Sequence, residues 1–123
     1  GSDGMFGKLV ALDLNTQQIV WTHRQRTPPA GSTLATATGL LFNGDLDRYF
    51  RAYDQRTGQV LWQTRLSAAP ESSPITYSVA GRQYVAVVAG GGSAYGAGGR
   101  GMVAELQSPA ASITLYVFEL PRR

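Results

Sequence analysis

Residues 8–24 of this chain align without a gap on residues 49–65, 41 positions further along. Ala11, Asp13, Thr16, Gln18, Trp21 and Arg24 of the first copy recur as Ala52, Asp54, Thr57, Gln59, Trp62 and Arg65 in the second. A unit that returns after about 40 residues, with only short β-forming runs inside it, cannot bury its apolar face alone and must stack on its own repeats. Such a period built of strands points to the blades of a β-propeller.

Each copy reads as a hairpin. In the second, a strand ends at Asp54, a tight turn occupies residues 55–58, and Val60, Leu61 and Trp62 lie on the returning strand. Gly58 supplies the positive φ such a turn needs, and the side chains of Asp54 and Thr57 can accept hydrogen bonds from its backbone N–H groups. The first copy has Gln17 at the position of Gly58.

In chain order, residues 1–6 read as a tag-like lead-in, with Gly1 and Ser2 resembling an expression scar. Strands follow at 9–14 and 18–24, then a loop at 25–32 marked by Pro28, Pro29 and Gly31. A four-strand meander covers 33–66, a loop follows at 67–71, and strands are expected at 73–79 and 83–89. The run Tyr-Val-Ala-Val-Val-Ala at 84–89 has no polar alternation, so both of its faces should be buried. A Gly-rich loop at 90–112 leads to the last strand at 113–120. Residues 102–107 offer a helix too short to stand alone. The fold class is therefore all-β, a partial β-propeller of about two and a quarter four-stranded antiparallel blades. It comprises the outer hairpin of one blade at 7–24, a complete blade at 33–66 and three strands of a further blade at 72–120. Each end blade then shows an apolar face without a neighbour, so the expected partners are the remaining propeller blades or copies of the chain itself.

Composition narrows the partners. The net charge is +3, but Arg24, Arg26, Arg48, Arg51, Arg56, Arg65, Arg82 and Arg100 are scattered among acids, which argues against a nucleic-acid face. No run approaches the roughly 20 apolar residues of a membrane helix. The chain has no cysteine, which excludes disulfides, thiolate-held zinc and a thiol nucleophile within it.

In a meander, successive turns alternate between the two ends of the strands. That places tight turns (15–17, 38–39, 55–58, 80–81) at one end and longer loops (25–32, 43–48, 67–72, 90–112) at the other. Binding groups concentrate on long loops held by a rigid scaffold. The polar groups of that rim are Ser32, Thr33, Asn43, Asp45, Asp47, Ser72, Ser73, Tyr95 and Arg100.

The spacing Ala-x-Asp-x-x-Thr-Gly-x-x-x-Trp, at Ala52, Asp54, Thr57, Gly58 and Trp62, resembles the tryptophan-docking motif of quinoprotein alcohol dehydrogenases. These are eight-bladed propellers that bind pyrroloquinoline quinone (PQQ). The stretches at 34–54, 72–92 and 115–121 are similar to the closing blades of that family, so the resemblance covers residues 7–121. It implies structural docking roles for Ala11, Asp13, Trp21, Ala52, Asp54, Gly58 and Trp62. In the family the Trp ring packs on the motif's Ala and on a peptide near the Gly of a neighbouring blade. The resemblance also implies PQQ as cofactor, with a calcium or lanthanide ion in the complete propeller that this segment does not ligate. It implies a cofactor-side rim at Ser32, Thr33, Asn43, Gly91 and Gly92. Some methanol-oxidising relatives carry Trp-Gly-Gly where this chain has Ala30, Gly31 and Ser32, so that indole contact is not retained. No residue here matches the family's catalytic Asp.

Other motifs carry less. Residues 96–101 fit Gly-x-Gly-x-x-Gly, but a dinucleotide site needs that motif between a strand and a helix, and the surroundings are all β. Asp45 and Asp47 read as turn residues rather than a calcium site, with Arg48 as the nearest partner for either carboxylate. His23, the single histidine, reads as a half-exposed strand residue.

The expected function is the C-terminal part of a PQQ-dependent alcohol dehydrogenase-like propeller. The segment would contribute to the cofactor-side rim and ring closure of an oxidoreductase of primary alcohols, and would not be active alone. The family implies a cytochrome c electron acceptor and a periplasmic location. The alternative is a non-enzymatic propeller-repeat module for binding or assembly that oligomerises.

Overall fold

The computed structural model describes residues 3–91, Val103 and residues 113–121. Nine strands lie among these residues: β1 (Gly7–Leu12), β2 (Ile19–Gln25), β3 (Pro29–Ala35), β4 (Leu40–Asp45), β5 (Tyr49–Asp54), β6 (Val60–Arg65), β7 (Ile75–Val79), β8 (Arg82–Ala89) and β9 (Thr114–Glu119). They form three antiparallel sheets of two, four and three strands, in the orders β1-β2, β3-β4-β5-β6 and β7-β8-β9. The architecture is all-β and the expected partial propeller. The helix suggested at 102–107 lies outside the described residues save Val103.

The repeated hairpin is built the same way twice. Ala11 pairs with Trp21 and Ala52 with Trp62, and each ladder slips by one residue at the next pair. The Asp13 carboxylate accepts from the N–H of Asn15 at 2.8 Å, and that of Asp54 from Arg56 at 2.8 Å. Thr16 and Thr57 accept from the N–H groups of Gln18 and Gln59. The turns even share a left-handed residue: Gln17 has φ 59° and Gly58 has φ 75°. An L side chain in that region costs about 1–2 kcal/mol, offset in part by the unfolded-state entropy a glycine would add. Gln17→Gly is therefore expected to stabilise the chain by about 0.5 kcal/mol, read as a higher urea midpoint at unchanged slope.

Most strand bounds move by one or two residues from the sequence reading, and the third strand moves furthest. The third strand begins at Pro29, inside the segment read as a loop, because Pro29 and Ala30 pair with Asp45 and Gly44. The register then shifts before Leu34 pairs with Phe42. Gly31, at φ 69°, lies within that shift. Proline is tolerated at the first residue of an edge strand, and a glycine in the left-handed region lets the strand bulge and resume.

Strand alternation sorts the core. Phe50 and Ala52 of β5 point to the third sheet and join Phe42, Leu66, Ala68, Val85, Val87 and Ala89 in one buried cluster. Phe50 lies between Phe42 and Phe118, with ring centroids 5.8 and 6.1 Å away. The opposite face of β5 carries Arg51 and Tyr53 toward the first hairpin, where Trp21 stacks on Tyr53 at 6.4 Å. The run in β8 is buried at Val85, Ala86, Val87 and Ala89, while Tyr84 and Val88 are half-buried. Two outer apolar faces stay uncovered: Val10, Leu12 and Val20 on the first hairpin, and Ile75, Tyr77, Val79, Leu115 and Val117 on the third sheet.

Candidate functional site

The rim at the N-terminal ends of β3 and β5 is built from backbone that cannot bond within the ladders. The turn between β4 and β5 is tied to the segment before β3: Leu46 N–H donates to Pro28 O at 3.1 Å, and Asp47 N–H to Thr27 Oγ1 at 3.3 Å. Ala30, Leu46 and Ala69 close a small apolar plug beneath it. The loop after β6 folds across the same end. Ser72 Oγ bridges both backbone groups of Val88, and Gly90 N–H donates to Ala69 O. Its approach to β3 needs a glycine: a Cβ on Gly31 would stand 2.3 Å from Ser72 O.

This packing brings together side chains 41 residues apart. Ser32 and Ser73 share a hydrogen bond of 2.8 Å at the exposed surface, and Thr33 beside them is also exposed. Asn43 differs from the expectation of a rim group: it is only 3% exposed, and its Nδ2 donates to Thr33 Oγ1 at 3.4 Å. Asn43 pairs with Arg51 on β5, which turns its side chain into the space between the first two sheets. Gly91 is exposed at φ 84°, with open space around it. Gly92, Tyr95 and Arg100 lie outside the described residues.

The two carboxylates of the β4–β5 turn do not use Arg48. Asp45 Oδ1 accepts from the N–H groups of Asp47 and Tyr49, and Oδ2 meets Arg51 at 2.6 Å in a nearly buried ion pair. Asp47 pairs with Arg65 at 2.6 Å instead. The hairpin register explains both choices, since it sets Arg51 diagonally across from Asp45 on one face and Tyr49 opposite Arg65. Arg51 also donates to Gln25 of the first hairpin and to Gln63 of β6. Among the described residues no group of three His, Asp or Glu side chains is placed to hold a metal ion.

Between the first hairpin and the four-stranded sheet, Trp21 is the central contact. Its indole N–H donates to Gln55 O at 2.7 Å, and its ring lies on Gly58 so closely that a Cβ there would be 2.5 Å from Cε3. Trp21 is 8% exposed. Trp62, its counterpart one repeat later, is 39% exposed and meets Phe118 edge-on at 5.0 Å. Sequence pattern marked both tryptophans, but only the packing separates them. It also places His23 edge-on against Tyr53 at 5.0 Å. Burial, with the Arg51 cation, holds the His23 imidazole below its ordinary value. Burial pushes the Asp45 carboxyl up, against the pull of Arg51 and of the two backbone N–H groups. Burial likewise pushes the Tyr53 phenol up.

Comparison with known proteins gives a consistent answer. The sequence pattern of the family described as PQQ, glucose/ethanol/alcohol dehydrogenase, beta-propeller domain matches residues 2–85. A quinoprotein ethanol dehydrogenase of Pseudomonas putida is 39% identical over 116 residues, 94% of this chain and 18% of that protein. The quinohemoprotein alcohol dehydrogenase structure from Comamonas testosteroni superposes with a TM-score of 0.75 at 35% identity, covering 91% of this chain and 16% of its own. A europium-containing methanol dehydrogenase gives 0.83 at 30% identity, covering 98% of this chain and 24% of its own. The chain thus spans less than a quarter of the length of each of these relatives. Among the described residues no helix is long and apolar enough to cross a membrane.

Proposed function

The chain belongs to the β-propeller family of PQQ-dependent glucose, ethanol and alcohol dehydrogenases, and from that premise we propose that it is the closing portion of such a propeller, lining the cofactor side of a primary-alcohol oxidoreductase. The rim carries this reading. Ser32, Ser73 and Thr33 present exposed hydroxyls, and Gly91 in the segment after β8 presents open backbone. PQQ is a flat tricarboxylate, and hydroxyl and backbone donors suit its anionic edge. Asn43 serves from behind, holding the Thr33 hydroxyl. When bound, the quinone supplies the two-electron oxidant; this chain's groups orient its edge and exclude water. Asp45 and Asp47, each engaged by an arginine, are poor ligands for a calcium or lanthanide ion, so that ion belongs to other blades of the complete propeller.

In the same reading, Trp21 on Gly58 is one joint of the ring, with Ala11, Asp13, Ala52 and Asp54 shaping the two hairpins and Trp62 the matching element of the next joint. The uncovered faces of the first hairpin and of the third sheet receive the flanking blades. The whole enzyme works in the periplasm and passes electrons to a cytochrome c, and the segment alone has no activity.

Ser32→Ala with Thr33→Val, placed in the complete propeller, is expected to weaken PQQ binding about tenfold, as measured by fluorescence titration. Unchanged binding would remove these hydroxyls from the rim. Alcohol oxidation by the 123-residue chain alone, supplied with PQQ and calcium, would overturn the partial-propeller reading itself.

A further inference from the structure

We infer that the joint between the first hairpin and the four-stranded sheet is acid-sensitive, and that His23 is the group that opens it. His23 is half-buried in this joint, on the side that faces Arg51. On its own strand the neighbours facing the joint are Trp21, committed to Gln55 O and Gly58, and Gln25, which is buried and donates to Thr27 O. From β1 it is paired with Leu9. From β5 it meets the ring of Tyr53, which is fully buried, and it feels the charge of Arg51, whose guanidinium donates to Gln25 two residues further along β2. From β4 the only carboxylate is Asp45, already held by Arg51 and two backbone N–H groups. β6 adds Gln63, hydrogen-bonded to Arg51. Two further ion pairs are committed elsewhere: Arg65 pairs with Asp47, and Arg24 pairs with Asp3 at 2.6 Å on the outer face of the hairpin. An imidazolium at this half-buried place would add a second cation near Arg51, against an aromatic ring, with no free carboxylate among the described residues to meet it.

The sign follows. His23 titrates below its ordinary 6.5 in the folded chain, so stability is full above pH 6.5. It falls as the pH drops below that value, and levels off once the folded-state imidazole is also protonated. Asp45 acts in the opposite sense: its raised value favours the folded chain as pH falls, so the loss cannot come from it.

The single histidine makes the test direct. Its C2 proton, followed by NMR in the full chain, should titrate with a midpoint below 6.5. As the pH falls below 6.5, the equilibrium between the closed and open joint should shift progressively toward the open form, read as faster hydrogen exchange at the backbone amides of β2. His23→Gln should abolish that pH dependence whatever it does to absolute stability, and so should His23→Leu if the glutamine variant folds poorly. A midpoint at or above 6.5, or an acid response that persists in both variants, would overturn the proposal.

Discussion

Replacing Gly58 with alanine is expected to cost about 3–5 kcal/mol of stability, an effect out of proportion to one methyl group. Two causes act together. Gly58 has φ 75°, where an L residue pays about 1–2 kcal/mol. The new Cβ would also stand 2.5 Å from Cε3 and 2.6 Å from Cδ2 of Trp21, inside contact distance of a rigid ring. The indole must then move, losing its 2.7 Å bond to Gln55 O and part of its burial. The chain holds its own control. Gly81 has φ 76° with nothing within 4 Å of a Cβ, so Gly81→Ala reports the backbone penalty alone. The excess of Gly58→Ala over Gly81→Ala, from urea unfolding, is the indole's share. It should shrink by 1 kcal/mol or more in a Trp21→Ala background, the expected signature of touching residues. Equal costs at the two glycines would show that Trp21 does not hold the joint.

Asp45→Ala should be comparably damaging, at about 3–5 kcal/mol. The substitution strands Arg51, whose side chain is only 12% exposed, and leaves the N–H groups of Asp47 and Tyr49 without their carboxylate. The charge pair itself contributes little, because desolvation of both ions opposes their attraction. The double variant Asp45→Asn with Arg51→Met separates these effects. An asparagine oxygen keeps the two turn bonds, and methionine fills the space without a charge, so most of the loss should return. If the double variant is as unstable as Asp45→Ala, the ion pair stabilises the fold in its own right. Both variants are compared by denaturant unfolding at neutral pH.

Much of this fold could be read from the chain because its information is local and written twice. Asp54, Thr57 and Gly58 define a turn by their own hydrogen-bonding and φ preferences, and the copy at Asp13 to Gln17 repeats it at a fixed offset. The start of β3 was hidden, since Pro29 and Gly31 are loop signals until a bulge lets them sit at a strand edge. The pairing of Asp45 with Arg51 was hidden for a different reason. Arg48 is nearer in sequence, but pairing across a hairpin follows register, and counting outward from the 46–48 turn would have found it. The same count turns Asn43 inward, away from the rim. The meeting of Ser32 with Ser73 had no local signal at all, because it depends on how one loop crosses another sheet.

The glutamine at position 17 also makes the two hairpin turns unlike as surfaces. Gln17 carries a side chain at the repeat position where Gly58, which has none, lies against Trp21. A flat indole cannot lie on such a side chain as Trp21 lies on Gly58, so the two turns are not interchangeable. Repeat proteins are prone to joining like units in the wrong order, and a side chain that refuses the standard joint limits that error. One residue out of step with its repeat thus gives the two hairpins different surfaces.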